Sequence, residues 1–179
     1  RQPFFLVLGR HDPHKNLERA LRAFAAVPDP QGDLRLKLVG PHDRRYTPRL
    51  QQLAGELGIA GRCDWLPWVS DAERLELLNR CRGLLLVSLW EGFGLPALEA
   101  MACGAPVIAA RAGALPEVVG EAGLLVNPRD PAAIAAALSD LGRDGALARQ
   151  LEAAGPARAA GFRWNAAAAQ VTAVLEDCA

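Results

Sequence analysis

The chain has 179 residues, 51% of them hydrophobic and 22% charged, enough for one ordinary globular domain with a full buried core. Lys plus Arg and Asp plus Glu both number 20. That balance excludes the overall basic field that draws a protein to nucleic acid or an anionic membrane, so an anionic ligand has to be held by local charge.

Phe4 to Leu8 is a short apolar run that reads as a buried strand. It has almost no lead-in, so we expect a chain cut at a domain boundary. Further runs of this kind are Leu34 to Val39, Asp64 to Leu66, Gly83 to Val87, Pro106 to Ala109 and Gly123 to Val126. Helical patterns lie between most of them. Asn16 is expected to cap the first, whose Leu17, Leu21, Phe24 and Ala25 share one face before Pro28 and Pro30 end it. Thr47 to Leu57 is a second, and Ser70 to Asn79 a third, opened by a Ser70–Glu73 capping box. Pro96 to Ala102 and Pro131 to Leu141 follow, each with proline near the first helical position. The alternation predicts a parallel sheet with helices on both faces over 1–144, a Rossmann-like α/β core within a single domain spanning 1–179. The alanine-rich stretch 145–179 reads as two helices covering that core, broken near Gly155, Pro156 and Gly161, with Trp164 opening the second.

No apolar stretch reaches the roughly 18 to 20 residues that span a bilayer, and no signal-peptide pattern opens the chain. Cys63, Cys81, Cys103 and Cys178 show neither CxxC spacing nor the density of a disulfide scaffold, so reduced thiols in a soluble cytoplasmic protein are expected.

In a doubly wound sheet, ligands bind outside the carboxyl ends of the strands. The loops there are Gly9 to Asn16, Gly40 to His42, Pro67 to Val69 and Ser88 to Leu95. The last runs from a strand into a proline-started helix. Gly92 and Gly94 free its backbone, and the N–H groups and dipole of the helix start suit a phosphate; the same arrangement also occurs in many proteins that bind none. Glu91 in the loop and Glu99 about one turn into the helix can accept hydrogen bonds from sugar hydroxyls. Equally, Glu99 can complement the helix dipole while Glu91 is solvated. Arg10 and Lys15 can neutralise a diphosphate, one as a planar fork and the other as a compact charge, or form an ordinary basic surface loop. His11, His14 and His42 lack metal-ligand spacing and are expected to serve loop structure or face solvent. Trp68 can pack beside a nucleobase or belong to the core. Gly40 leaves room near the same cleft. No Gly-x-Ser-x-Gly, P-loop or Gly-x-Gly-x-x-Gly pattern supports a hydrolase, NTPase or dehydrogenase.

Taken together, Gly9-Arg10 with Lys15-Asn16, the run from Ser88 through Glu91-Gly92-Phe93-Gly94-Leu95-Pro96 to Glu99 and Ile108, and Gly113 to Val119 resemble the C-terminal, donor-binding domain of retaining GT-B glycosyltransferases of family 4. The resemblance covers nearly the whole chain, and the two glutamates separated by seven residues are its hallmark. It implies that Arg10 and Lys15 grip the donor diphosphate without a metal and that Glu99 binds the ribose. Glu91 then touches the transferred sugar, Gly92 to Leu95 close around it, and Leu66 to Val69, including Trp68, border the base. No cofactor is implied; the donor is a nucleoside-diphosphate sugar, with GDP-mannose favoured over a UDP-sugar because the loop resembles mannosyltransferases of polysaccharide assembly. An N-terminal domain holding a glycan or lipid acceptor is expected to complete the enzyme, at most peripheral to the inner face of the membrane. Attack on the same face as the leaving phosphate is implied for retention. Pro41-His42-Asp43 departs from the family pattern. A sugar-nucleotide epimerase half and a non-catalytic nucleotide-binding module are the alternatives.

Overall fold

The computed structural model describes residues 1–177. Six strands form one parallel sheet in the order β3-β2-β1-β4-β5-β6. They are β1 (Phe4–Leu8), β2 (Arg35–Val39), β3 (Cys63–Leu66), β4 (Gly83–Leu86), β5 (Val107–Ala110) and β6 (Leu124–Val126). The helices are α1 (Leu17–Ala25), α2 (Tyr46–Glu56), α3 (Asp71–Arg80), α4 (Leu95–Ala102), α5 (Leu115–Val119), α6 (Pro131–Arg143), α7 (Gly145–Ala159) and α8 (Trp164–Asp177). Strand order reverses between β1 and β4, which both pair in parallel register, and this switch point is where such a sheet opens a crevice.

All five residues of β1 are buried because the sheet is covered on both faces, which is why the strands read as continuous apolar runs. Successive side chains alternate sides. Phe5 and Val7 join Leu21, Phe24, Leu36 and Ile134 in one core layer, and Phe4, Leu6 and Leu8 join Leu84, Met101 and Val119 in the other. Each fully buried Leu or Phe contributes about 1.5 to 3 kcal/mol from lost apolar exposure. In α1, Leu17, Ala20, Leu21, Ala23 and Phe24 are buried, and Ala25 of the expected face packs half-buried against the same layer.

The Ser70–Glu73 capping box of α3 is formed in both directions. Asn16 departs from expectation: it precedes α1 in a left-handed conformation with no side-chain cap bond. Its amide instead donates to the Val87 carbonyl at 2.9 Å and the Pro128 carbonyl at 2.7 Å. It therefore ties the first loop to the ends of β4 and β6, burying a polar group that these bonds satisfy. The sequence pattern also leaves out α5, whose five residues are too few for a helical period to register.

The expected break at Gly155 and Pro156 does not occur; α7 runs through both and ends at Ala159. A Cβ at Gly155 would lie 3.0 Å from the Met101 carbonyl, so the glycine lets α7 lie directly against α4. That packing offsets the hydrogen bond lost at the proline. The expected cover is supplied by α7 alone, since α8 buries no residue and exposes Trp164, Val171, Val174 and Leu175. No helix among the described residues is long and apolar enough to cross a membrane. Cys63, Cys81 and Cys103 are free thiols. Burial pushes Cys63 up to about 11 and Cys81 up to about 12, so neither thiolate forms near neutrality. Cys178 lies outside the described residues.

Candidate functional site

An open cleft of about 520 Å³ lies at the carboxyl edge of the sheet. It brings together Gly9, Arg10, Lys15, Gly40, Trp68 and Glu99 from four separate segments, along with Arg74 of α3 and Pro96 of α4. Leu66, at the end of β3, sits behind Pro67 and accepts the Gly40 N–H at 2.9 Å.

The ends of β1 and β2 are pressed together here. A Cβ on Gly40 would fall 2.0 Å from the Gly9 carbonyl oxygen, and Gly40 has φ +151°. Only glycine permits that approach. The chain after Gly40, where the family resemblance weakens, has a local purpose: Asp43 accepts the N–H groups of Arg45 and Tyr46 at 2.9 and 2.8 Å and so caps α2. These bonds to Tyr46 and Arg45 hold its carboxyl below the usual range, with Arg10 adding a smaller attraction. Arg10 itself is exposed.

Lys15 donates to Glu91 Oε1 at 2.6 Å across the switch point, with side-chain exposures of 18% and 13%. The Ser88 hydroxyl donates to the same oxygen at 2.6 Å. Glu91 is thus not a solvated loop residue. Both contacts fall on Oε1, which leaves Oε2 free to accept, and Lys15 keeps two of its three ammonium donors. The Glu91 backbone is fixed as well: a Cβ on Gly113 would lie 2.5 Å from its carbonyl oxygen, and that oxygen accepts the Ala114 N–H at 3.1 Å.

Gly92, Phe93, Gly94 and Leu95 flank the cleft without lining it. Of the two loop glycines only Gly94 has a positive φ, at the start of α4. Phe93 meets Phe162 edge to face at 5.8 Å. Arg158 stacks over Phe162 at 5.0 Å and donates to the Val118 carbonyl at 3.0 Å, so the loop touches the segment that follows α7. Trp68 is 75% exposed, which removes the core reading of that residue. Glu99 is held by Arg74, whose Nη1 lies 2.8 and 2.7 Å from its two oxygens.

Of the two roles expected of the histidines, loop structure or solvent exposure, His11 takes the first. It is buried, its Nδ1 lies 2.9 Å from Thr47 Oγ1, and its ring stacks on His42 at 4.9 Å. Burial, and then the nearby His42, push it down to about 4. Its Nε2 is buried and has no hydrogen-bond partner among the described residues.

Ser88 and Arg74 are the polar contacts that sequence reasoning missed. Ser88 stands three positions before Glu91, a spacing that brackets the loop and could have flagged it. Arg74 carries no such signal, since its tie to Glu99 joins two helices 25 residues apart.

A doubly wound α/β domain with a charge-lined cleft at its switch point is the class that fold and site define. Within that class, the sequence model for glycosyl transferases group 1 matches residues 1–158, and the chain belongs to this family. It is 34% identical over 165 residues to the O-antigen chain mannosyltransferase B of Escherichia coli, covering 92% of this chain and 43% of that protein. HepE from Anabaena, solved in complex with UDP and glucose, superposes with a TM-score of 0.88 at 25% identity, over 98% of this chain and 48% of that one. The C-terminal domain of a glycosyl transferase group 1 family protein, LpcC of Francisella tularensis, superposes with a TM-score of 0.78 at 27% identity, over 88% of this chain and 84% of that domain. The chain thus spans less than half the length of the first two.

Proposed function

We propose that the chain is the donor-binding half of a retaining glycosyltransferase, which takes a sugar from a nucleoside-diphosphate donor to a glycan or lipid acceptor. The observation that carries this reading is the gathering of Arg10, Lys15 and Glu99 in one cleft at the switch point, with Lys15 fixed by Glu91. The match to a C-terminal domain solved alone supports a separate N-terminal domain that binds the acceptor.

In this reading the diphosphate lies over the carboxyl ends of β1 and β4. Arg10 and the two free donors of Lys15 meet the phosphate oxygens. Negative charge grows on the leaving oxygen as the sugar bond breaks, and fixed cations stabilise that charge more than the ground state. Glu91 Oε2 accepts from a hydroxyl of the transferred sugar, and Glu99 accepts from the ribose. Trp68 and Leu66 border the base, and the backbone from Gly92 to Leu95 closes over the sugar. Same-face attack assisted by the leaving phosphate accounts for retention, because no side chain of this half is assigned as a nucleophile. The relative named a mannosyltransferase supports GDP-mannose as donor, and the complex of HepE with UDP and glucose supports a UDP-sugar; the loop run from Ser88 to Pro96 favours the first. Cytoplasmic residence, peripheral to the inner face of the membrane in the intact enzyme, belongs to the same proposal.

Calorimetric titration with GDP, UDP, ADP and their sugar conjugates, with and without magnesium, tests it. The expected result is saturable binding of one base, unchanged by magnesium. Failure of a folded chain to bind any of them would remove the donor role.

A further inference from the structure

A second cleft, of about 620 Å³, opens at the amino edge of the sheet, the opposite edge from the one where Lys15 and Glu99 meet. Leu34 directly precedes β2 and Arg82 directly precedes β4, so both mark that edge, and the carboxyl-terminal half of α6 forms the facing wall. Its volume falls in the range of roughly 300 to 1,000 Å³ that holds small ligands. The floor is apolar, made by the buried Val27, Leu34 and Leu138. Gln31, Asp33, Arg82, Ser139 and Arg143 form the polar rim. An apolar floor below a few convergent polar groups is how a small-molecule site is built.

The two cations lie close together because of a glycine. A Cβ on Gly142 would sit 3.7 Å from Arg82 Nη1, so the Arg82 guanidinium rests on α6 one residue before Arg143. Neither arginine is paired with a carboxylate among the described residues. The facing loop is fixed in advance. Asp29 accepts the N–H groups of Gly32 and Leu34 at 3.0 and 3.3 Å and is neutralised by Arg62 at 2.8 Å, and Pro28 and Pro30 hold their own φ angles.

We propose that this cleft is a second ligand site, for a small phosphate monoester that also carries hydroxyl groups. Arg82 and Arg143 meet the phosphate, which guanidinium forks match in charge and shape. The body of the ligand lies over Val27, Leu34 and Leu138, and Gln31 and Asp33 take its hydroxyls, the carboxylate as acceptor only. Asp33 also selects against a second phosphate at that end, which would meet its like charge. Because the two clefts lie on opposite edges, this ligand and one at the switch point bind without displacing each other.

The test is calorimetric titration with glucose 6-phosphate, mannose 6-phosphate, glucose and inorganic phosphate at about pH 7.5, where a phosphate monoester is mostly doubly charged. At least one hexose phosphate should bind saturably, about tenfold or more tighter than inorganic phosphate, because its hydroxyls add hydrogen bonds to a charged group. Glucose should not bind. Arg82→Ala and Arg143→Ala should each weaken that binding about tenfold, as loss of charge-assisted hydrogen bonds requires, and Asp33→Ala should narrow the preference over inorganic phosphate. Arg143 is exposed, so its variant keeps the test intact if Arg82→Ala fails to fold. The double variant Arg10→Ala, Lys15→Ala should bind as wild type does. Binding lost in that variant and kept in Arg82→Ala and Arg143→Ala would move the phosphate to the carboxyl edge and overturn the proposal, as would the absence of saturable binding by either hexose phosphate. Inorganic phosphate binding as tightly as the sugar phosphates would overturn the part given to Gln31 and Asp33. None of these outcomes depends on nucleotide binding, so this site and the donor site stand or fall separately.

Discussion

Around one cleft, the wall at the ends of β1, β2 and β4 is interlocked, whereas the wall formed by the end of β3 with α3 and α4 is open. On the first, Gly9 and Gly40 touch backbone to backbone, His11 is buried against Thr47, and Asn16 staples three loops. Lys15 and Glu91 form a largely buried pair. On the second, Trp68 stands in solvent and the Arg74–Glu99 pair is more than a third exposed. The difference assigns different work to the two walls. Fixed charges that meet a developing phosphate gain from not having to reorganise, so rigidity is useful beside Lys15. Groups that meet a base and a ribose are exposed so that the ligand itself can cover them. Substitutions in the first wall should therefore cost stability, and those in the second should cost ligand discrimination.

The largest effect is expected from Gly40→Ala. The new Cβ meets the Gly9 carbonyl carbon at 2.5 Å as well as its oxygen, and backbone cannot rotate away as a side chain would. A loss of about 3 kcal/mol or more is expected from the clash and the unfavourable φ together, read by urea denaturation. A loss under about 1 kcal/mol would mean that the strand ends separate freely, and the interlocked wall would lose its foundation. Next comes His11. Its folded value is about 4 against an ordinary 6.5, so the neutral form is the one the fold favours. The associated stability is fully present above about pH 6.5 and is lost as pH falls toward 4, on the order of 3 kcal/mol in all. His11→Gln should flatten the pH dependence of the denaturation midpoint over that range. Parallel profiles for variant and wild type would show that His11 titrates in the fold as it does in the open chain.

Much of this fold can be read in the sequence, for a physical reason. Buried parallel strands are continuous apolar runs, so Phe4–Leu8 is predicted to the residue and the other five strands to within one or two at each end. The Ser70 cap is legible because both of its partners lie within one turn. Asn16 misleads, since a residue type that caps helices is also suited to a left-handed turn, and its partners Val87 and Pro128 are remote in sequence. Pro156 misleads because local propensity is overridden by the contact of Gly155 with Met101. For the candidate site, the residue types are legible in the loops but their pairing is not. Lys15 and Glu91 are 76 positions apart, and nothing local announces that one would hold the other.

Glu91→Ala leaves Lys15 without its carboxylate and the buried Ser88 hydroxyl without its acceptor. A loss of about 1 to 3 kcal/mol is expected in thermal or urea denaturation; a variant as stable as wild type would move the Lys15–Glu91 pair into the same class as Arg74–Glu99. The smallest effect on stability belongs to the open wall. Trp68 is 75% exposed and so has little apolar area to lose, and Trp68→Ala should stay within about 0.5 kcal/mol of wild type. Nucleotide affinity should nevertheless fall, by about fivefold or more if the indole stacks on the base, since base–aromatic stacking contributes about 1 to 3 kcal/mol. The two readouts together decide the comparison: stability lost with affinity kept would make Trp68 part of the scaffold, whereas stability kept with affinity lost separates a wall that binds from the wall that holds.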